Sequence, residues 1–245
     1  MKQKFFDTGW WKDTTGAIVG TVTGIILTFG TTFYLQSKDK AEMARKMTKI
    51  TIHNLDVRIG LMQNEVEMLK AEDSLFRQVT EYMPDSLHKL DENTLRHVIN
   101  TLGSIQYFMT DHKAESIFSH SFEVWQYLDD EKVIGRISTC YSILDFHNEI
   151  YEPLRHDCMK AHREWWNEMI THGFPDVTAA VKAMMSRPDI QLILTRYPNT
   201  IRVLENLADV ALQLNKRNKE VLNISQEELE EAGMLLDRNC FTLDN

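Results

Sequence analysis

Residues 14–37, TTGAIVGTVTGIILTFGTTFYLQS, hold no Asp, Glu, Lys, Arg or His in the 24 positions between Asp13 and Lys38. As an α-helix such a stretch is ~36 Å long, enough to cross a ~30 Å hydrocarbon core with some tilt. Trp10 and Trp11 flank one end and Phe33 and Tyr34 the other, where aromatic rings favour the headgroup level. A cleaved signal peptide has a shorter apolar run followed by small residues, whereas this run leaves through Phe33-Tyr34-Leu35-Gln36. The pattern predicts a transmembrane helix. The competing reading is a buried helix of a soluble protein, because seven Thr and four Gly dilute the apolar character.

Lys2, Lys4 and Lys12 precede the stretch, and Lys38, Lys40, Arg45, Lys46 and Lys49 follow it. The larger basic excess comes after, which places the C-terminal domain on the cytoplasmic side; the opposite side is the alternative. The five following cations are candidate contacts for anionic headgroups. The remaining 208 residues carry 24 Lys and Arg against 34 Asp and Glu, a formal net of −10. An acidic domain without a basic stripe argues against nucleic acid as a partner. Cys140, Cys158 and Cys240 are odd in number and show no C-x-x-C spacing. On one helix, Cys140 and Cys158 would sit ~27 Å apart, beyond disulfide reach, so buried reduced thiols are expected.

The chain beyond the span reads as all-α. A basic tail (1–13) and the span (14–37) lead into a stalk or coiled-coil-like helix (38–83). A helical bundle (84–236) packs on its distal part, and a polar tail (237–245) follows. From Lys38 to about Met83 a heptad places Met43, Ile50, Val57, Asn64 and Ala71 at a, and Met47, Asn54, Leu61, Met68 and Leu75 at d. Ile52, Ile59, Met62, Val66, Leu69 and Phe76 form a second apolar stripe. The helix is therefore either a self-associating coil or an ordinary long helix in a bundle. A compact domain of this length has a diameter of ~43 Å and the helix a length of ~67 Å, so residues 38–53 are expected to protrude as a stalk.

Pro84-Asp85-Ser86 should end that rod. Asp91 can cap a helix stopped by Gly103, and a short helix is plausible near Lys113 to Phe118. Asp129-Asp130 can open a long helix, Glu131 to His172, ended by Gly173. Its buried stripe reads Val133, Ile137, Cys140, Leu144, His147, Tyr151, Leu154, Cys158, Trp165 and Met169, with Pro153 expected to kink or split it. Asp176 can cap a helix to about Met185, Pro188-Asp189 can start another, and Pro198 is placed to open a further one to about Leu222. Ser225-Gln-Glu-Glu228 matches a capping box for a last helix. Gln191 to Thr195 is the one short segment with an extended alternative.

Gly16, Gly20 and Gly24 recur at i, i+4 and i+8 in the span, a groove suited to close helix association. They fall on a different face from the heptad, so a straight dimer cannot use both. Asp145, Glu149, Glu152 and His156 share one helix face, a spacing that can ligate metal but equally describes a solvated face. Cys158 and His162 stand one turn apart, a nucleophile–base spacing without a third orienting group. His147 on the apolar stripe reads as a hydrogen-bonded core residue. Trp165 and Trp166 form a possible partner surface, with only one able to face the core. No P-loop, G-x-G-x-x-G, H-E-x-x-H or G-x-S-x-G occurs.

The order of parts, and the stretch Ser116 to Leu144 (SIFSHSFEVWQYLDDEKVIGRISTCYSIL), resemble a group of uncharacterised bacterial single-span membrane proteins with an all-helical soluble domain. Ser119-His120-Ser121 stands where that group usually turns on a glycine. The resemblance implies a location in a bacterial inner membrane, where the charge asymmetry favours a cytoplasmic over a periplasmic domain, and supplies no catalytic residue. The expectation is a non-enzymatic, membrane-anchored helical scaffold without cofactor, binding partner proteins or itself. A membrane-bound sensor or signalling module with a ligand site in the bundle is the alternative.

Overall fold

The computed structural model describes the backbone of residues 8–104, 113–120, 122–128 and 130–240, with side chains described from Lys38 to Met234 apart from gaps. Every described element is helical. The first helix, α1 (Thr8–Glu81), runs 74 residues without a break, so the uncharged stretch and the helix after Lys38 are one rod. A 3-10 turn (Leu87–Lys89) leads to α2 (Glu92–Gly103), α3 (Lys113–His120) and α4 (Phe122–Trp125). Then come α5 (Glu131–His172), α6 (Val177–Met185), α7 (Pro188–Leu222) and α8 (Gln226–Cys240). Among the described residues no helix is long and apolar enough to cross a membrane. The side chains of 14–37, including Gly16, Gly20 and Gly24, lie outside the described residues.

Local chemistry sets the boundaries. Three aspartates open helices by accepting a backbone N–H: Asp91 from Thr94 (2.9 Å), Asp130 from Lys132 (2.8 Å) and Asp176 from Ala179 (2.8 Å). Gly173, at φ +67°, ends α5 and returns its N–H to the Met169 carbonyl at 2.8 Å. At α8 the capping box closes both ways, Glu228 N–H to Ser225 Oγ at 3.2 Å and Ser225 N–H to the Glu228 carboxylate at 2.9 Å.

Two apolar clusters stack along α1. The first joins Leu55, Ile59 and Met62 to Val133, Ile137, Cys140 and Leu144 of α5, and to Ala208 and Ala211 of α7. The second joins Val66, Leu69, Phe76 and Val79 to Tyr151, Leu154 and Cys158 of α5, to Tyr197, Ile201 and Leu204 of α7, and to α2 and α6. Hence α5 runs parallel to α1 and α7 antiparallel. The α5 stripe is buried as its spacing predicts, with Met169 only partly so.

The assembled bundle departs from several expectations. The stalk does not stand clear, because Ala44, Thr48, Thr51 and Ile52 are buried and α8 lies against this part of α1. The spherical size argument fails because α5 and α7 are ~63 Å and ~52 Å long and line up beside α1, giving a rod-shaped bundle. The heptad is not the core seam: Met43 is 51 % and Val57 50 % exposed, whereas the second stripe is buried throughout. Pro198 lies inside α7, and Gln191 to Thr195 is part of the same helix. The lost Pro198 N–H is offset by the stripe Ile190, Ile193, Tyr197, Ile201 and Leu204, which buries both halves together. Pro153 likewise leaves α5 in one piece, and α8 continues to Cys240, into the expected polar tail.

Candidate functional site

The α1 stripe has a gap of seven between Leu69 and Phe76, and Glu72 fills it. Its buried carboxylate takes two hydrogen bonds from the Arg155 guanidinium, at 2.7 and 3.1 Å, and one from the Tyr197 hydroxyl at 2.5 Å. Arg155 also donates to the Ser104 carbonyl at 3.2 Å, and stacks 5.9 Å from the Tyr151 ring centroid. Helices α1, α5 and α7 and the end of α2 are thus locked in axial register by one buried, bidentate charge pair.

One turn-pair back along α1, at the junction of the two apolar clusters, Glu65 faces His147. Glu65 Oε2 lies 3.6 Å from His147 Nδ1, and both side chains are buried. His147 is fully buried, as the sequence predicts for a core histidine, and its neighbour Asn148 is the side-chain hydrogen-bonding group beside the ring. Burial drives the two groups apart. It pushes the Glu65 carboxyl up to about 7, with the Arg155 charge opposing and the Glu152 charge adding, and it holds the His147 ring down at about 4. Between about pH 4 and pH 7 the pair holds one proton, and that proton sits on Glu65.

Nearer Lys38 the buried polar groups continue. Arg58 pairs with Glu115 at 2.8 Å and lies 5.6 Å from the Tyr141 ring centroid. Asp56 takes Lys219 at 2.9 Å and the Asn215 amide at 2.8 Å. These contacts tie α1 to α3 and to the far end of α7.

The expected site residues separate clearly. Asp145, Glu149, Glu152 and His156 are all exposed, and no metal-binding group of three or more His, Cys, Asp or Glu forms among the described residues. Cys158 is buried, and burial pushes its thiol up to about 12, far from a thiolate at neutral pH. The His162 ring instead packs between Trp165 and Trp166, with centroids 5.5 and 6.0 Å away. Trp165 is 1 % exposed and leaves the partner surface, while Trp166 stays 42 % exposed. Cys140 is buried and free, as is Cys158. Of the five cations expected at the headgroups, Lys49 is engaged by Glu228 at 2.6 Å, and Lys40 donates to the Tyr127 hydroxyl at 3.3 Å. Arg45 stands 3.9 Å from Glu228, while Lys38 and Lys46 are exposed. Lys49, followed by the Ser225 N–H, holds the Glu228 carboxyl down at about 2.

Comparison with family models, curated proteins and solved structures finds no match to this chain. What the molecule does rests on its own geometry.

Proposed function

We propose that this chain is a non-enzymatic, single-span membrane protein whose helical bundle is a rigid scaffold held at the inner-membrane surface. The observation that carries the reading is α1 itself, one 74-residue helix that contains the uncharged stretch 14–37 and then becomes the central helix of the bundle. Such a helix leaves no hinge between membrane and domain. The basic cluster at 38–49 supports the same orientation, with the bundle on the cytoplasmic side. Self-association has its own support. Met43, Ile50 and Val57 recur every seventh residue on α1, the two ends of that row half-exposed and Ile50 partly so. Cysteines placed in turn at Gly20 and Val57 test it in native membranes. Disulfide dimers through Val57 support pairing by the heptad row, and dimers through Gly20 support pairing by the glycine groove. Monomers in both remove the oligomer.

A sensor reading is favoured by one observation. Glu65 and Glu72 on α1 bond or abut α5 and α7 at the core, so an axial shift of α1 must break the Arg155–Glu72 pair. Proximity labelling from the bundle in intact cells reports sidedness and partners together. A scaffold gives the same neighbours under all growth conditions, and a sensor gives neighbours that change.

A further inference from the structure

Where α1 leaves the bundle toward residues 14–37, a cleft of about 550 Å³ opens between α1, the α4–α5 connection and the α7–α8 turn. Its polar lining includes Lys38 and Arg45, two helical turns apart on α1, with Glu42 between them. Leu128, Val221, Leu222 and Ile224 supply the apolar wall. Asp130 also borders the cleft, but its carboxylate is committed to the Lys132 N–H at 2.8 Å and lies 3.8 Å from Arg136. Among the described residues Arg45 makes the long 3.9 Å approach to Glu228, which Lys49 already neutralises at 2.6 Å, and Lys38 is exposed. Two available cations over an apolar wall match a phosphodiester joined to a glycerol and acyl stems. Along an unbroken helix Lys38 is ~1.5 Å past Ser37, within a headgroup layer ~5–8 Å thick, and Arg45 is ~12 Å past it, just above that layer, from where its long side chain reaches down.

We propose that this cleft binds the headgroup of an anionic phospholipid, Lys38 and Arg45 holding the phosphate and Leu128, next to the Tyr127 that Lys40 contacts, lying against the glycerol. Basic pockets beside membrane helices on the cytoplasmic side take such headgroups. This rests on the spanning role proposed above for residues 14–37. A bound lipid would couple leaflet composition to the end of α7, whose Val221 and Leu222 line the cleft.

The test uses the full chain in non-ionic detergent, titrated with phosphatidylglycerol or phosphatidylcholine, with retained lipid counted by native mass spectrometry. Phosphatidylglycerol should be retained preferentially. A Lys38→Gln/Arg45→Gln double variant should bind it about 30-fold more weakly, at about fivefold per cation. Both residues are exposed, so the variant keeps its helicity by circular dichroism. Glu42→Gln should move affinity the other way. Equal retention of the two lipids, or wild-type affinity in the double variant, would overturn the proposal. Displacement of the lipid by equimolar glycerol 3-phosphate would also overturn it, by assigning the cleft to a soluble phosphate. Flotation with pure phosphatidylcholine vesicles separates the underlying reading. A chain that floats but shows no lipid preference loses only the cleft, and a chain that fails to float loses both.

Discussion

Replacing Glu65 by Gln should uncover a pH dependence that the Glu65–His147 pair cancels within itself in the wild type. In the folded wild type Glu65 keeps a proton up to about 7 and His147 refuses one down to about 4. In the unfolded chain the histidine binds its proton below about 6.5 and the glutamate releases its own above about 4.5. The Glu65 contribution is fully present below about 4.5 and is lost as pH rises through 7. The His147 contribution runs the other way, full above about 6.5 and lost as pH falls toward 4. Between those limits folded and unfolded chains each hold about one proton on the pair, so the two slopes cancel. Glu65→Gln leaves only the histidine slope, and Glu65 is not among the groups that hold the His147 ring low, so that slope should persist. The variant should lose about 3 kcal/mol relative to wild type between pH 7 and pH 4.5, at ~1.4 kcal/mol per pH unit. For a domain of this size that is a fall of ~6–12 °C in thermal midpoint. The assay is far-UV circular dichroism melting of the full chain in detergent at the two pH values, variant minus wild type. His147→Leu should show the mirror image, losing stability as pH rises from 4.5 to 7. The reasoning is refuted if the variant-minus-wild-type difference is the same at both pH values.

Glu72→Gln leaves the Arg155 charge buried with a neutral partner, and should cost ~3–5 kcal/mol in chemical denaturation. Trp165→Ala should cost a similar ~3–5 kcal/mol, while Trp166→Ala, removing a half-exposed ring, should stay below about 1 kcal/mol; near-equal effects would contradict the burial pattern. Gly103→Ala places a methyl 2.5–2.9 Å from the His162 ring, which the two tryptophans hold in position, so a loss of ~1–3 kcal/mol is expected by thermal melting.

Much of this fold is written in local chemistry. Asp91, Asp130, Asp176 and Ser225 announce helix starts through side-chain oxygens that need no tertiary context, and Gly173 announces a stop. The α5 stripe is legible because a helix with one buried face repeats at three and four. The two α1 stripes are not distinguishable locally, since a heptad row and a core row look alike when both are apolar. The decision lies in which face α5 and α7 occupy. The polar column was half-visible. The seven-residue gap after Leu69 marks Glu72 on the buried face, and Arg155 follows Tyr151 by one turn on α5. Pairing them needs the parallel alignment of α1 with α5, which no local pattern encodes. The cleft beside Lys38 depends on a turn between α7 and α8 that meets α1 more than 170 residues later in sequence, and only the assembled bundle brings them together.

The most direct test of the central claim is alkaline carbonate extraction of membranes from a bacterium expressing the full chain, beside a version beginning at Lys38. If residues 14–37 anchor the bundle through α1, the full chain stays in the membrane pellet and the shortened one is released. Release of the full chain into the supernatant would contradict the account.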